Sequence, residues 1–392
     1  MRQIGKCIGA AFVLLFLVAL GNVYAGGRPF ITRWEGKAGE ALKIPIVGKY
    51  TIVVKNAGGS ELKKEEVAID DPARPYVFTP DRDGEYLIEA GPEGVKYIRM
   101  AEKKYGSCDQ LLFIEQFGDV AWTTMELAFS QCSKMQLKDG IDKPNLERVE
   151  NMTAMFSGCT SFNQPLEEWD VSKVTDMSQM FAGCTSFNQP LEGWDVSKVT
   201  YMMKMFYGCS SFNQPLGGWN VSKVMNMGWM FRDCSSFNQP LDGWNMSKVT
   251  DMGAMFYSCS SFDQPLGKWK IQKDLNLSQT AMSPRNYSLT LVGWAAQDDI
   301  ANNIEITATG RVYNTEGKTA REKLVTGKRW KLTGDAFQGS GLALSPKEVH
   351  LGVEQECELR LDSWGLQGDE TVAFSGLDGV VQLDGAPEVL VQ

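Results

Sequence analysis

Between about residue 120 and residue 270 the apolar positions keep one spacing and repeat it. From Val174 they fall at Met177, Met180, Phe181, Cys184, Phe187, Leu191, Trp194 and Val196, and the series restarts at Val199. The restart comes every 25 residues, and Cys159, Cys184, Cys209, Cys234 and Cys259 mark it. Around each cysteine the same words return: SFNQPL, then W-[DN]-[VM]-S-K-V, then M-x-x-M-F-x-x-C. A fixed period in this range predicts a solenoid, in which each coil buries its apolar face only against its neighbours. Such a chain is mostly surface, which favours binding over catalysis.

Within one coil, Val174, Met177, Met180 and Phe181 stand at i, i+3, i+6 and i+7. That spacing predicts a short helix with Thr175 as its N-cap. Phe187 to Leu191 predicts a brief extended segment, kept short by Pro190, which has no N–H to donate. Stacked coils align Phe162 to Phe262, Leu166 to Leu266, and the column Trp169, Trp194, Trp219, Trp244 and Trp269. Asn163, Asn188, Asn213 and Asn238 form a polar column that ends at Asp263. Their side chains are expected to satisfy backbone groups at the turn between coils. Lys173, Lys198, Lys223 and Lys248 also align, with Asp170 and Asp195 near enough to offset them. That column reads as a solvated edge.

The cysteine column points to buried thiols. Equivalent residues in adjacent coils lie ~4.8 Å apart with parallel Cβ vectors, whereas a disulfide needs convergence. No metal site is expected, because the single histidine, His350, lies outside the repeats. Cys108 and Cys132 could pair, and the sequence leaves that open.

The flanks read differently. Residues 1–25 predict a secretory signal peptide: Arg2 and Lys6, an apolar run from Gly9 to Leu20, and Val23-Tyr24-Ala25 before Gly26. The run is too short to span a bilayer, and no other segment is long and apolar enough. Residues 26–105 predict a small β-sandwich-like domain, with strands at Leu42–Val47, Tyr50–Lys55, Tyr76–Thr79, Glu85–Glu89 and Val95–Met100. Asp81-Arg82-Asp83-Gly84 reads as a hairpin turn and not as a calcium loop, since the later ligands are missing. The array covers 106–274, opening on a degenerate coil through Trp122, Met125, Phe129 and Cys132. Residues 275–336 predict a cap. One helix starts at Ser283-Pro284 with Leu289, Val292 and Ala296 as its apolar stripe, a second covers Thr315 to Leu324, and a strand follows at Trp330-Lys331-Leu332. After a linker at Phe337–Gly341, residues 342–392 predict a small immunoglobulin-like β module or a fragment of one, with strands at Glu348–Val353 and Glu356–Leu361.

Charge narrows the partners. The net charge is −9, and loss of Arg2 and Lys6 with the leader takes it to −11. An acidic chain is a poor match for nucleic acid, whose binding needs a basic face. No G-x-S-x-G, H-E-x-x-H or phosphate loop is present, so no enzyme activity, catalytic residue or cofactor is expected. The repeats fix the core, so the informative positions are those that vary between coils. Asp176, Tyr201, Asn226 and Asp251 share one position, Gln179, Lys204, Trp229 and Ala254 a second, and Ala182, Tyr207, Arg232 and Tyr257 a third. The middle coils thus gather Tyr201, Lys204, Tyr207, Trp229, Arg232 and Tyr257 on the helix side, as the candidate ligand-binding patch. Tyr, Trp and Arg are the types enriched at binding hot spots.

The unit SFNQPLEEWDVSKVTDMSQMFAGC resembles the repeat of the BspA-like leucine-rich-repeat surface proteins of bacteria. The segments RPFITRW at Arg28–Trp34, LFIEQFGDVAW at Leu112–Trp122 and LTLVGWAA at Leu289–Ala296 resemble that family too. The resemblance implies an α+β solenoid: a leucine-rich-repeat-like array of coils, each a short strand plus a short helix, between a small all-β domain and a cap with a short β segment. It also implies an exported protein displayed on the cell surface, adhering to host or neighbouring-cell proteins of the extracellular-matrix type such as fibronectin and fibrinogen. A self-associating biofilm or surface-layer protein and a carbohydrate-binding protein fit the same pattern. With no lipid-attachment cysteine or wall-sorting tail evident, the C-terminal β segment is the candidate for attachment.

Overall fold

A computed structural model describes residues 27–100, 106–338, 341–345, 360–364, 379–381 and 389–391. The expected leader at 1–25, the expected strand at Glu348–Val353 and most of Glu356–Leu361 lie outside the described residues, as does His350.

The N-terminal part is built on antiparallel pairing. Strand β1 (Phe30–Gly36) alternates strictly, with Phe30, Thr32 and Trp34 inward. Buried Thr32 is satisfied locally, since Trp34 Nε1 donates to its Oγ1 at 2.8 Å. β2 (Leu42–Ile44) and β5 (Tyr76–Phe78) form a small separate sheet. β3 (Ile46–Asn56), β4 (Glu61–Ile69), β6 (Gly84–Ala90), β7 (Val95–Ile98), β8 (Leu111–Gln116) and β9 (Gln136–Leu137) join β1 in one seven-stranded sheet. Its order is β4-β3-β6-β1-β8-β9, with β7 also on β3. The pairs β1–β6 and β1–β8 are antiparallel, but β8–β9 is parallel. The sheet therefore runs into the repeat array through β9, which lies in the degenerate first coil. A single hydrophobic core extends from Phe30 to Leu332 without a break.

The array is a stack of 25-residue units, and its coils are built differently from the expectation. Among the described residues, no helix lies between Leu137 and Leu275, and the paired positions there are single parallel bridges. These bridges link Asn151, Asp176, Tyr201, Asn226 and Asp251 in series. The Met/Phe segment cannot be helical because its N–H groups go to the next coil. Met177, Gln179, Phe181 and Gly183 donate to the carbonyls of Tyr201, Met203, Met205 and Tyr207 at 2.7–3.0 Å. The intervening Met180, Ala182 and Cys184 close tight turns onto residues three back. Gln179 and Gly183 have φ of 58° and 76°, which a right-handed helix forbids. The i, i+3 burial pattern comes from these turns. Thr175 is no N-cap: its Oγ1 donates to Glu150 O at 3.2 Å, and Asp176 Oδ1 accepts from Ser178 N at 2.8 Å instead. The Phe187–Leu191 segment carries no ladder of its own.

What holds one coil on the next is a set of repeated columns. Each cysteine thiol donates to a phenylalanine carbonyl of the preceding coil, as Cys209 does to Phe181 O at 3.0 Å. The thiols of Cys159, Cys184, Cys234 and Cys259 make the same contact at 2.7–3.1 Å. Cys108, Cys132 and the column cysteines are all buried, and none is in a disulfide. Burial pushes the thiols of the column well up from their ordinary range. Trp194, Trp219, Trp244 and Trp269 each donate Nε1–H to a leucine carbonyl one coil back, at 2.7–2.9 Å. Trp169, at the start of the column, packs edge-on against Phe117. Asn163, Asn188 and Asn213 accept the backbone N–H of the next asparagine, each at 2.9 Å, and Asn238 accepts from Asp263 N at 2.8 Å. Asp263 ends that column where the cap takes over: Ser283 N at 2.7 Å and Asn286 Nδ2 at 2.9 Å reach its Oδ1 in place of a further coil.

The cap continues the stack with full strands and helices. β10 (Leu275–Asn276), β11 (Glu305–Thr307) and β13 (Lys331–Thr333) pair in parallel. α1 (Pro284–Ala295) and α2 (Thr315–Lys328) make the two crossovers. Ser283 Oγ accepts from Asn286 N, so α1 starts where Ser-Pro predicts. Its buried stripe is corrected, however. Tyr287, Leu291, Trp294 and Ala295 face the core, while Leu289 and Val292 are exposed. The rotation follows from backbone contact: a Cβ on Gly293 would meet Gly267 Cα at 2.5 Å, so the Gly293 side must face the last coil. β12 (Val312–Tyr313) pairs with β14 (Ala336–Phe337) beside the cap. Among the described residues the C-terminal part forms two antiparallel pairs, β15 (Gly341–Ser345) with β16 (Arg360–Trp364), and β17 (Gly379–Val381) with β18 (Val389–Val391).

Candidate binding surface

The coil backbone decides which side chains reach solvent. The position of Gln179, Lys204, Trp229 and Ala254 is left-handed in every coil, with φ of 50–61°. Its N–H is spent on the next coil, as Trp229 N donates to Gly253 O at 2.9 Å. The side chain then projects outward, and Trp229 remains 38% exposed. The position of Asp176, Asn226 and Asp251 normally caps a turn: Asn226 Oδ1 accepts from Gly228 N, and Asp251 Oδ1 from Gly253 N. Tyr201 cannot do this. The cap is given up there for a phenol that is 43% exposed.

Five of the six candidate residues form one connected run. Lys204 Nζ lies 4.5 Å from the Trp229 ring centre. Arg232 Cζ lies 4.7 Å from the same ring and 4.8 Å from the Tyr257 ring. Tyr207 and Trp229 have ring centroids 6.3 Å apart. The run crosses three successive coils, so no single repeat contains it. Exposed cation–π contacts contribute about 0.5–1 kcal/mol each, enough to hold long side chains in preferred poses. Tyr201 is exposed in the same coils but makes no ring contact among the described residues. The run lies on the bridged, turn-built side of the coil and not on a helix.

Two neighbours were not singled out from sequence. Asp233 Oδ2 lies 3.3 Å from Arg232 Nε and partly balances it. Met225 is 37% exposed beside the run. Its signal was present, since Met225 stands where other coils carry Thr175, Thr200 and Thr250. The Lys173–Lys248 column occupies turn corners on the coil edge. Asp195 is held below the ordinary carboxylate range, first by hydrogen bonds from Ser197 and then by Lys198 and Lys223.

Elsewhere, a cleft of about 350 Å³ is lined by Glu35, Lys37, Glu40, Ser107 and Lys134 among others. A second, of about 510 Å³, lies between Glu93, Lys96, Asp119 and Arg148. Among the described residues no cluster of His, Cys, Asp and Glu could hold a metal ion, and no helix is long and apolar enough to cross a membrane.

Residues 123–227 and 194–294 match a family described as Mycoplasma protein of unknown function, DUF285. The chain thus carries two overlapping copies of a repeat-bearing region similar to that family. No curated protein and no solved structure matches it. The first match ends within the array and the second inside α1, so the similarity covers most of the array and the start of its cap.

Proposed function

We propose that this chain is an exported, surface-displayed binding protein. In this reading its array is a leucine-rich-repeat-like solenoid of the BspA type, and its ligands are host or neighbouring-cell proteins of the extracellular-matrix class. The observation that carries it is the joined run of Lys204, Tyr207, Trp229, Arg232 and Tyr257 across three coils. Aromatic and arginine side chains that are already oriented lose less freedom when a partner docks, and they are the types that dominate binding energy. The core positions are constrained by stacking, so specificity resides in what the coils do not share. The reading assigns no catalytic role, no cofactor and no metal.

The test is binding of the purified protein to immobilised fibronectin, fibrinogen and a glycan panel. The variant Tyr201→Ala/Tyr207→Ala/Trp229→Ala runs beside it at matched stability. Saturable binding that the variant loses supports the reading and its site. Equal binding by both removes the site. An absence of binding, with concentration-dependent assembly of the same sample, replaces the reading with self-association.

A further inference from the structure

Each coil turns a corner at the sequence Val-Ser-Lys-Val or its equivalent. The corner is a tight turn closed by a hydrogen bond, such as Val224 N to Val221 O at 2.9 Å, and the lysine sits on its outer side. Two residues later the chain is pinned to the preceding coil: Thr200 N donates to Thr175 O at 2.8 Å and Met225 N to Thr200 O at 2.9 Å. The corners therefore stack in register at close to the strand spacing. Arg148, Lys173, Lys198, Lys223 and Lys248 occupy successive corners of this kind, Lys273 stands at the equivalent position of the next coil without the closing hydrogen bond, and all are exposed. None of them makes an ion pair among the described residues. Six cations in single file span roughly 24 Å at the ~4.8 Å strand spacing.

The charge beside the row changes along it. Glu147 neighbours Arg148, and Asp170 and Asp195 stand three residues before Lys173 and Lys198. In the next two coils the same position holds Asn220 and Asn245. All four of these Asp and Asn side chains do the same structural task, accepting the N–H of the serine two residues on, at 3.0–3.2 Å. The exchange of Asp for Asn keeps the cap and removes the negative charge. At the far end Asp274 again neighbours Lys273, and Lys270 pairs with Asp299. No carboxylate caps the corner at Lys223 or Lys248, although Asp195 in the coil before still interacts with Lys223. Those are the coils that also carry Trp229, Arg232 and Tyr257.

We propose that this edge of the array binds a linear acidic polysaccharide, a sugar chain bearing regular sulfate or carboxylate groups, centred on Lys223 and Lys248. This rests on the reading of the chain as a binding protein. A single file of cations at fixed pitch matches an extended polyanion lying along it. A membrane surface would call for a broad basic face, and duplex nucleic acid, with its two phosphate strands, for a wider one than a single file. Exposed aromatic rings in the same coils suit the apolar faces of sugar rings.

The experiment measures affinity of the purified protein for heparin, a sulfated chain, and for polygalacturonate, a carboxylated one. Duplex DNA and phosphatidylserine vesicles are the comparison arms. Lys223→Gln/Lys248→Gln raises Kd about tenfold and flattens the fall of affinity between about 50 and 200 mM salt. Asn220→Asp/Asn245→Asp weakens binding in the same direction, while Asp170→Asn/Asp195→Asn strengthens it. The last pair keeps the proposal testable if lysine loss affects folding. Lys49→Gln/Lys64→Gln, on the N-terminal sheet, makes the same change in net charge and leaves Kd unmoved. The relative strength of the heparin and polygalacturonate arms tells sulfate from carboxylate. Equal loss in the Lys49/Lys64 control, stronger binding to DNA or vesicles, or no binding to either polysaccharide overturns the proposal. A protein that still holds fibronectin or fibrinogen through Trp229 would then lose the polysaccharide edge and keep the proposed function.

Discussion

Gly208 and Asp233 occupy the same place in adjacent coils, and both are left-handed, with φ of 70° and 62°. Each donates its N–H to the next coil, Gly208 to Arg232 O at 2.8 Å and Asp233 to Tyr257 O at 2.9 Å. A methyl group on Gly208 would meet Gly183 Cα at 3.8 Å, an ordinary contact. Space therefore does not decide the effect of Gly208→Ala; backbone conformation does. A side chain in the left-handed region costs roughly 1–2 kcal/mol. The loss of glycine's freedom in the unfolded chain returns about 0.4–1 kcal/mol. The net expectation is a destabilisation of about 1 kcal/mol, or about 2–4 °C in Tm for a cooperative unit of 150–250 residues. Asp233→Gly reverses the exchange. It is expected to be neutral to stabilising by up to about 1 kcal/mol, since aspartate tolerates this region better than most and its pair with Arg232 is largely solvated. Gly193→Ala is the control. Its φ is not in the left-handed region and an added methyl group finds its nearest neighbour at 3.5 Å, so Tm should hold. Thermal unfolding followed by circular dichroism reads all three. A Gly208→Ala protein that matches its parent, with Asp233→Gly less stable, would refute the view that the coil backbone imposes this conformation.

Trp219→Phe keeps most of the apolar volume but leaves Leu191 O without its indole donor, a loss of about 1–3 kcal/mol as read by urea titration; Trp219→Ala should cost about 3–5 kcal/mol in the same titration. Burial holds the column thiols protonated, so Cys184, Cys209 and Cys234 should resist maleimide at pH 8 until urea unfolds the array, as read by peptide mass spectrometry; rapid native labelling would contradict the packing. Burial alone would raise the Glu115 carboxyl, but hydrogen bonds from Lys138 and Arg33 outweigh it and hold it below the ordinary value. Its stabilising effect is then present above the unfolded value near 4.3 and lost as pH falls through the lower folded value. Glu115→Gln should be less stable than the parent at pH 7, with the gap closing in acid; a gap that does not narrow as pH falls would exclude this linkage.

The stacking columns were legible because a column needs only the period. Once 25 residues separate equivalent cysteines, tryptophans and asparagines, their alignment follows, and so does the end of the asparagine column at Asp263. The path of the chain between columns was not legible. Burial of Met177, Met180 and Phe181 at i, i+3 and i+4 is produced equally by a helix and by a succession of three-residue turns. What separates them is where the N–H of Gln179 goes, and that depends on a coil 25 residues away. The recurrent glycine at Gly158, Gly183 and Gly208 was the local hint of a left-handed position. β4 was missed because it is an exposed edge strand rich in Lys and Glu, with no apolar alternation to detect. The stripe of α1 was misjudged because Leu289 and Val292 are apolar, whereas the close approach of Gly293 to Gly267 sets the rotation. The six candidate surface residues were found by variation between coils alone, and that method cannot tell Tyr201, which stands apart, from the five that touch.

Separating the columns from the variable positions has a physical consequence for how such an array can change its surface. A substitution in the core is felt by a neighbouring coil through shared carbonyls, as Trp219 reaches back to Leu191 O and packs at 6.4 Å from the Phe206 ring. A substitution at a turn cap is felt by one N–H. Asp170, Asp195, Asn220 and Asn245 accept that N–H equally well, so the fold is indifferent to which is present while the field along the edge is not. The same holds at Gln179, Lys204, Trp229 and Ala254, where the backbone is already committed to its left-handed turn and the side chain is free to be anything that tolerates it. Charge and aromatic character can therefore be redistributed coil by coil at little cost in stability. The concentration of Trp229, Arg232 and Tyr257 beside the two uncharged caps is a local property of these coils, not a by-product of the repeat.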